Sequence, residues 1–459
     1  MPKRVIIVGC GISGAAAAQE FTNAGYEVVV LEQEERLGGK IYTVDELNSE
    51  LGAVIFFCNY PVTDTVFQKK MSVENVLPGE EKSINIILYG NEHPTLAERI
   101  QFAVRFMYEL MQYSRVIGSF DHANDTRTFA KYLSDHHFIN LAKYFEFWLP
   151  GMGYGPLDVI SASHALNYTV LQPLNVFAMT SRVFGQPIKH VHGGYQRVVE
   201  KMVEGFDVRT SVDIKNIERS NEGVRLAFDR PNCKTETIEG DLLVLTMSPY
   251  FWDKLPMELT PLEKQCISNL DCVPYSVAIC DIEGFPPNQV FIADALKKEG
   301  LGHIGFIHTN NDSVNPKARR SVVYFNLSKN DRSFSLSEGS QGRDVLREDL
   351  RKLGYPNIEI LATKDWQDYN PTLPYEIRMK LENSQRKNGT LYLGTYNSFE
   401  TVADAEKYSR MKSREYLGLS NPKSYLSSAR RFTHFFRDLR LAPQQVNKPA
   451  VDPLVRPKL

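Results

Sequence analysis

Residues 3–14 read Lys3-Arg4-Val5-Ile6-Ile7-Val8-Gly9-Cys10-Gly11-Ile12-Ser13-Gly14, and the reading of this stretch decides the fold. The four apolar residues 5–8 predict a buried strand that runs straight into a glycine turn. Residues 15–24 are rich in helix formers and stop at Gly25; a second apolar strand, residues 27–31, ends on Glu32. Each position has a physical task if a dinucleotide sits on this strand–turn–helix. Gly9 permits the turn, Gly11 leaves room for a pyrophosphate against the backbone, and Gly14 lets the helix approach the strand. The helix start offers backbone N–H groups and the positive end of its dipole to phosphates. Glu32, eighteen residues beyond Gly14, is spaced to accept hydrogen bonds from a ribose diol. Ser13 and Gln33 complete the candidate set at this end.

The next residues, Glu35-Arg36-Leu37-Gly38-Gly39-Lys40-Ile41-Tyr42-Thr43, resemble the second phosphate-contacting loop of FAD enzymes of the flavin amine oxidase superfamily. That resemblance makes Arg36, Gly39 and Lys40 candidate cofactor residues and favours FAD over NAD. The superfamily generally has arginine where this chain has Lys40, which keeps the charge but loses the bidentate fork. Leu51-Gly52-Ala53 resembles the superfamily's flavin-proximal turn.

The implied fold is α/β: a Rossmann-type FAD-binding domain, discontinuous in sequence, with a mixed α+β substrate domain. The FAD-binding parts are expected at residues 1–85, 188–270 and 365–424. A helical substrate part is expected at 86–187, a β-rich one at 271–364, and a C-terminal helix with a tail at 425–459. Within this frame residues 65–88 read as a polar linker with a turn at 79–82, and apolar spacing predicts a long helix over 96–117. Helices are expected at 129–147 and 159–168, divided by Pro150-Gly151-Met152-Gly153-Tyr154-Gly155-Pro156, which reads as a helix stop. Residues 188–191 read as a strand, and Gly193-Gly194 opens a helix through Met202. Val212 stands where the superfamily contacts adenine through backbone groups, and residues 241–246 read as a buried strand of the nucleotide fold. Strands over 275–282, 289–292, 302–309 and 320–326 resemble the antiparallel floor of the superfamily's substrate cavity.

The chain returns to the cofactor at residues 389–396, a strand ending on Gly394, followed by a helix over 403–416. Gly394 and Val402 are candidate cofactor contacts, because helix-start N–H groups stabilise negative charge on a reduced flavin. In the superfamily this strand ends in an acid; Thr395 stands there here. Gly153-Tyr154-Gly155, Gly193-Gly194-Tyr195-Gln196, Gly302-His303 and Ser398-Phe399-Glu400-Thr401-Val402 together resemble bacterial polyunsaturated fatty acid double-bond isomerases.

Composition narrows the partners. With 459 residues, 42% hydrophobic and 24% charged, the chain can form two or three ordinary globular cores. A net charge of −2 argues against nucleic acid. No apolar window of membrane-spanning length occurs, and the amino terminus lacks a signal-peptide pattern. Cys10, Cys58, Cys233, Cys266, Cys272 and Cys280 show no metal-ligand or disulfide spacing, which suits a cytoplasmic setting; no metal is expected. No cysteine follows Cys280, so FAD is expected to be non-covalent. The expected partner is a small-molecule substrate, and the chain a monomer or homodimer. Apolar and arginine residues over 425–441 could lie on a membrane surface, although covering the protein's own core is preferred.

The aromatic residues Tyr154, Trp366 and Tyr396 are the candidates to wall a substrate against the flavin, with Phe184 a further one. Lys297 or Lys298 is a candidate for holding water near the flavin N5 atom, and His303 for a pocket acid or base, although a structural hydrogen bond is preferred for it. The expected reaction is hydride removal from a hydrophobic or amine-bearing molecule. Redox-neutral isomerisation of an unsaturated acid and a non-catalytic flavin fold stay open beside it.

Overall fold

The computed structural model describes residues 3–53, 56–57, 85–88, 96–168, 188–189, 193–286, 289–292, 301–309, 313–328, 333–385 and 387–421. The linker turn at 79–82, Phe184, Lys297, Lys298, Cys58 and the C-terminal helix over 425–441 lie outside the described residues.

The nucleotide fold is a five-stranded parallel sheet in the order Thr390–Tyr392, Leu242–Leu245, Arg4–Val8, Glu27–Leu31, Asp207–Arg209. Arg4–Val8 is central, with Val5 opposite both Leu242 and Val28. A central parallel strand is covered on both faces, which is why all four of its apolar residues are buried instead of alternating. Val5 and Ile7 face the helix Ile12–Asn23, whose run Ala15 to Ala18 is fully buried. Ile6 and Val8 face the three-stranded antiparallel sheet Asp213–Arg219, Val224–Asp229, Glu236–Gly240 through Leu226 and Phe228. The closing helix Val402–Tyr416 lies along the first helix, where Arg410 bonds to Glu20 at 3.0 Å and to Glu406 at 3.0 Å.

The second sheet has six strands: Ile358–Trp366, Tyr275–Glu283, Ala318–Asn326, His303–Thr309, Gln289–Ile292 and Asn85–Leu88. Four of its five pairings are antiparallel, as expected; the edge pair, Gln289–Ile292 with Asn85–Leu88, is parallel. Residues 85–88, read from sequence as the end of a linker, thus form a sheet edge. The helical part corrects three boundaries. The helix expected over 129–147 is two, Phe129–Asp135 and Ile139–Gly151, broken where His137 takes a φ of +57°. Pro150 is carried in the last turn of the second of these instead of stopping it. The next helix is Ala162–Tyr168 and starts three residues late, because residues 156–160 form a turn in which Val159 and Ile160 donate to Pro156 O. A helix at Tyr375–Asn383 was not expected. On the long helix Leu96–Val116 the buried face is Phe106, Leu110 and Tyr113, while Ile100, Phe102 and Met111 are exposed.

Candidate active site

One cavity of about 800 Å³ runs from the glycine turn to the inner face of the six-stranded sheet. Its nucleotide end is built by the turn itself. Gly9 holds a φ of +98°, and a side chain there would meet Thr246 Oγ1 at 2.5 Å, so only glycine suits it. Thr246 locks the turn by donating to Val8 O at 2.9 Å and to Gly9 O at 3.1 Å. Gly14 is fixed by packing: a Cβ there would sit 2.0 Å from Gly9 O.

Gly11 differs. Its φ of −77° is open to any residue, and a Cβ would meet only Gly38 O and Gly39 Cα, at 3.7 and 3.8 Å. Nothing in the protein's own packing demands glycine at 11, so the cradle suits an outside group that lies against the backbone. No side chain caps the helix that starts there.

Glu32 is buried at the edge of the cavity; Cys10 N donates to its Oε2 at 2.7 Å and Glu34 N to its Oε1 at 3.0 Å. Burial pushes its carboxyl above the ordinary range, against the pull of the two amides. An ionised carboxylate accepts about four hydrogen bonds, so acceptor capacity remains for a diol. Val212 N donates to Glu32 O at 2.9 Å, which brings Val212 to the same wall.

Gly9, Gly11, Ser13, Glu32, Gln33, Gly39, Lys40, Val212 and Val402 line the cavity, as do Tyr154 and Trp366. Gly14, Arg36, Gly394 and Tyr396 do not. Arg36 stitches its own loop, donating to Gly39 O at 2.8 Å and Ile41 O at 3.1 Å, with its guanidinium 4.0 Å from the Tyr42 ring centre. Gly394, at φ +142°, swings the chain so that Tyr396 turns under the sheet, edge-on to Trp252 at 5.7 Å. Tyr396 is 3% exposed and is core, which corrects its assignment to the substrate wall.

The other end of the cavity is aromatic. Tyr154, Tyr369, Tyr275 and Tyr324 stack in sequence with ring centres 6.1, 4.6 and 5.7 Å apart. Phe306, Met152 and Trp366 complete the chamber. Most polar tips here are spent on main-chain carbonyls: Tyr154 on Glu400 O, Tyr275 on Gly151 O, Tyr369 on Met152 O, and Trp366 Nε1 on Leu51 O. The chamber is therefore offered ring faces. The buried Tyr324 hydroxyl is the exception and has no hydrogen-bond partner among the described residues.

Between the two ends sits a charged junction that the sequence reading missed. Lys40 Nζ donates to Asp368 O at 2.8 Å and lies 3.1 Å from both Asp368 Oδ2 and Glu400 Oε1. Burial alone would lower the Lys40 pKa; the two carboxylates outweigh it and hold it above the ordinary lysine value. Burial raises the carboxyl of Glu400 even so. Glu400 was visible in the closing segment, five residues beyond Thr395, and an acid so near the vacant motif position was the available signal. Lys364 also lines the cavity, 5.0 Å from the Trp366 ring. His303 bonds to Asp349 at 2.9 Å, away from the cavity, as expected of a structural histidine.

A parallel nucleotide fold, a glycine cradle, a buried acid with acceptor capacity to spare and an adjoining aromatic chamber define a dinucleotide-binding protein of the Rossmann class. The model of the flavin containing amine oxidoreductase family matches residues 12–384, and the chain belongs to that family. Its cofactor is FAD. No cysteine or histidine is among the described residues that line the cavity. A 15-cis-phytoene desaturase of Arabidopsis thaliana is 25% identical over 354 residues, which cover 68% of this chain and 58% of that protein. An L-amino acid oxidase of Bothrops pictus is 57% identical over 42 residues, 9% of this chain and 8% of its own length. The chain thus spans less than two thirds of these curated relatives. Among solved structures, the fatty acid isomerase of P. acnes that produces CLA superposes with a TM-score of 0.73 at 19% identity, covering 90% of this chain and 98% of that one. A putrescine oxidase superposes at 0.63 with 16% identity, covering 91% and 99%. No described helix is long and apolar enough to cross a membrane.

Proposed function

We propose that this chain removes a hydride from a carbon beside unsaturation in an apolar small molecule. The observation that carries the reading is the chamber: three tyrosines and a tryptophan turn their polar atoms into the wall and present ring faces to the space within. Such a surface favours a flat apolar substrate lying against the ring faces. FAD, when bound, supplies the hydride acceptor. Tyr154, Tyr369 and Tyr275 orient the substrate by stacking. Trp366, bonded to Leu51 O at 2.8 Å, holds the flavin-proximal turn against the six-stranded sheet.

Return of the hydride to a second carbon is the other outcome of the same geometry. It is favoured by the likeness in fold to the P. acnes isomerase over nearly the whole of both chains. The non-catalytic alternative rested on the missing acid at Thr395; the carboxylate of Glu400, which accepts from the Thr395 hydroxyl at 2.6 Å, supports a catalytic flavoprotein instead.

The test is anaerobic bleaching of the FAD-loaded protein by linoleate and by putrescine, followed by exposure to air. Bleaching by linoleate with oxygen uptake supports oxidation. A conjugated-diene absorbance formed without oxygen uptake supports isomerisation. Bleaching by putrescine alone would overturn the proposal.

A further inference from the structure

Two departures from the family pattern were visible in sequence, Lys40 in place of arginine and Thr395 in place of an acid. They lie 355 positions apart, and the fold joins them through one carboxylate. Glu400 Oε1 lies 3.1 Å from Lys40 Nζ, and its Oε2 accepts from Thr395 Oγ1 at 2.6 Å. Lys40 Nζ is also shared with Asp368, and all four residues line the cavity. The Glu400 and Asp368 side chains are only 7% and 10% exposed.

We infer that Glu400 is the carboxylate that receives the hydroxyl groups of the FAD ribityl chain, and that Lys40 positions this acid and does not bind the pyrophosphate. The inference rests on FAD being the cofactor and is independent of which substrate the chamber takes.

Charge decides against the phosphate role. One ammonium faces two carboxylates, so the cluster carries −1, or zero when Glu400 holds a proton. In neither state is there surplus positive charge to meet a dianion, and in a site this buried like charges repel strongly. Nor can Lys40 leave for a phosphate cheaply. Its departure would strand two buried carboxylates without their shared cation. Hydroxyl groups, by contrast, are what an anchored carboxylate accepts. Among the described residues each Glu400 oxygen has one hydrogen-bond partner, and a carboxylate can accept about four bonds, so acceptor positions for about two donors remain. The backbone places this acid firmly: Glu400 O accepts from Tyr154 at 3.0 Å, and Thr401, next in the chain, caps the closing helix through Asp404 N at 3.0 Å.

The experiment titrates full-length apo-protein with FAD and with ADP, which carries the adenosine and phosphates but no ribityl chain. Thermal midpoints of the apo forms monitor folding. Glu400→Gln and Glu400→Ala are expected to weaken FAD at least tenfold and leave ADP unchanged. In Thr395→Glu/Glu400→Ala, an acid back at the motif position should recover most of the lost FAD affinity. Lys40→Met should weaken FAD while leaving ADP affinity and its salt dependence as in the wild type. A folded Glu400→Gln protein with wild-type FAD affinity would overturn the assignment of Glu400. A parallel loss of ADP in Lys40→Met would return Lys40 to the phosphates.

Discussion

Substituting Gly11 and Gly14 one at a time separates binding from folding, because the two glycines serve different needs. At Gly11 the backbone φ is −77°, and an added Cβ would meet nothing closer than 3.7 Å. Gly11→Ala should therefore leave the apo-protein as stable as the wild type, or more stable by about 0.4–1 kcal/mol through the stiffer unfolded chain. The same methyl group stands in the FAD cradle. We expect FAD to weaken at least tenfold, about 1.4 kcal/mol, and Gly11→Val to abolish binding. Gly14→Ala meets Gly9 O at 2.0 Å and Gly9 C at 3.1 Å, backbone atoms that cannot rotate away. Overpacking of this kind costs about 1–3 kcal/mol; the upper end applies here, and better helix propensity returns about 1 kcal/mol. A net loss of about 2 kcal/mol should lower the apo thermal midpoint. The assays are apo-protein melting and FAD titration by flavin fluorescence. The reasoning fails if Gly11→Ala keeps wild-type FAD affinity, or if it destabilises the apo-protein as much as Gly14→Ala does.

Three further outcomes are expected. Glu32→Ala should weaken FAD by about 1–3 kcal/mol, the size of lost charge-assisted hydrogen bonds; an unchanged dissociation constant would remove Glu32 from the ribose site. Glu50, buried beneath the flavin-proximal turn and bonded to Tyr195 N at 2.7 Å, has its carboxyl pushed up to about 7, chiefly by burial. A raised acid stabilises the fold fully below its unfolded value of about 4.3, and that contribution is lost as pH rises through about 7. Glu50→Gln should flatten the dependence of the urea midpoint on pH across that window, and parallel curves for the two proteins would refute the assignment. Glu263→Ala should cost about 3–5 kcal/mol in urea unfolding. It leaves Arg219, 2.5 Å away and 4% exposed in its side chain, without its carboxylate, and removes an acceptor of the Tyr392 hydroxyl and the Glu263 half of the capping box of Pro261–Ser268, the acceptor of Thr260 N. A loss below about 1 kcal/mol would class the pair with surface ion pairs.

The chain by itself determined the nucleotide fold. Residues 3–40 carry strand, turn, helix, strand and acid at fixed spacing, and each signal is local: a period, a breaker, a positive φ at Gly9. FAD instead of NAD was legible for the same reason, since the loop from Glu35 to Thr43 is contiguous. Tertiary structure alone decided the rest of the site. Apolar patterning says that Tyr396 is buried, but not that it packs under Trp252 instead of facing the substrate. Tyr275, Tyr324 and Tyr369 stack in one wall although they come from separate segments, and no sequence period relates them. Lys40, Asp368 and Glu400 share a single ammonium across 360 positions. Such a cluster is fixed by the cost of leaving buried charge unpaired, and that cost exists only once the surrounding segments have folded together.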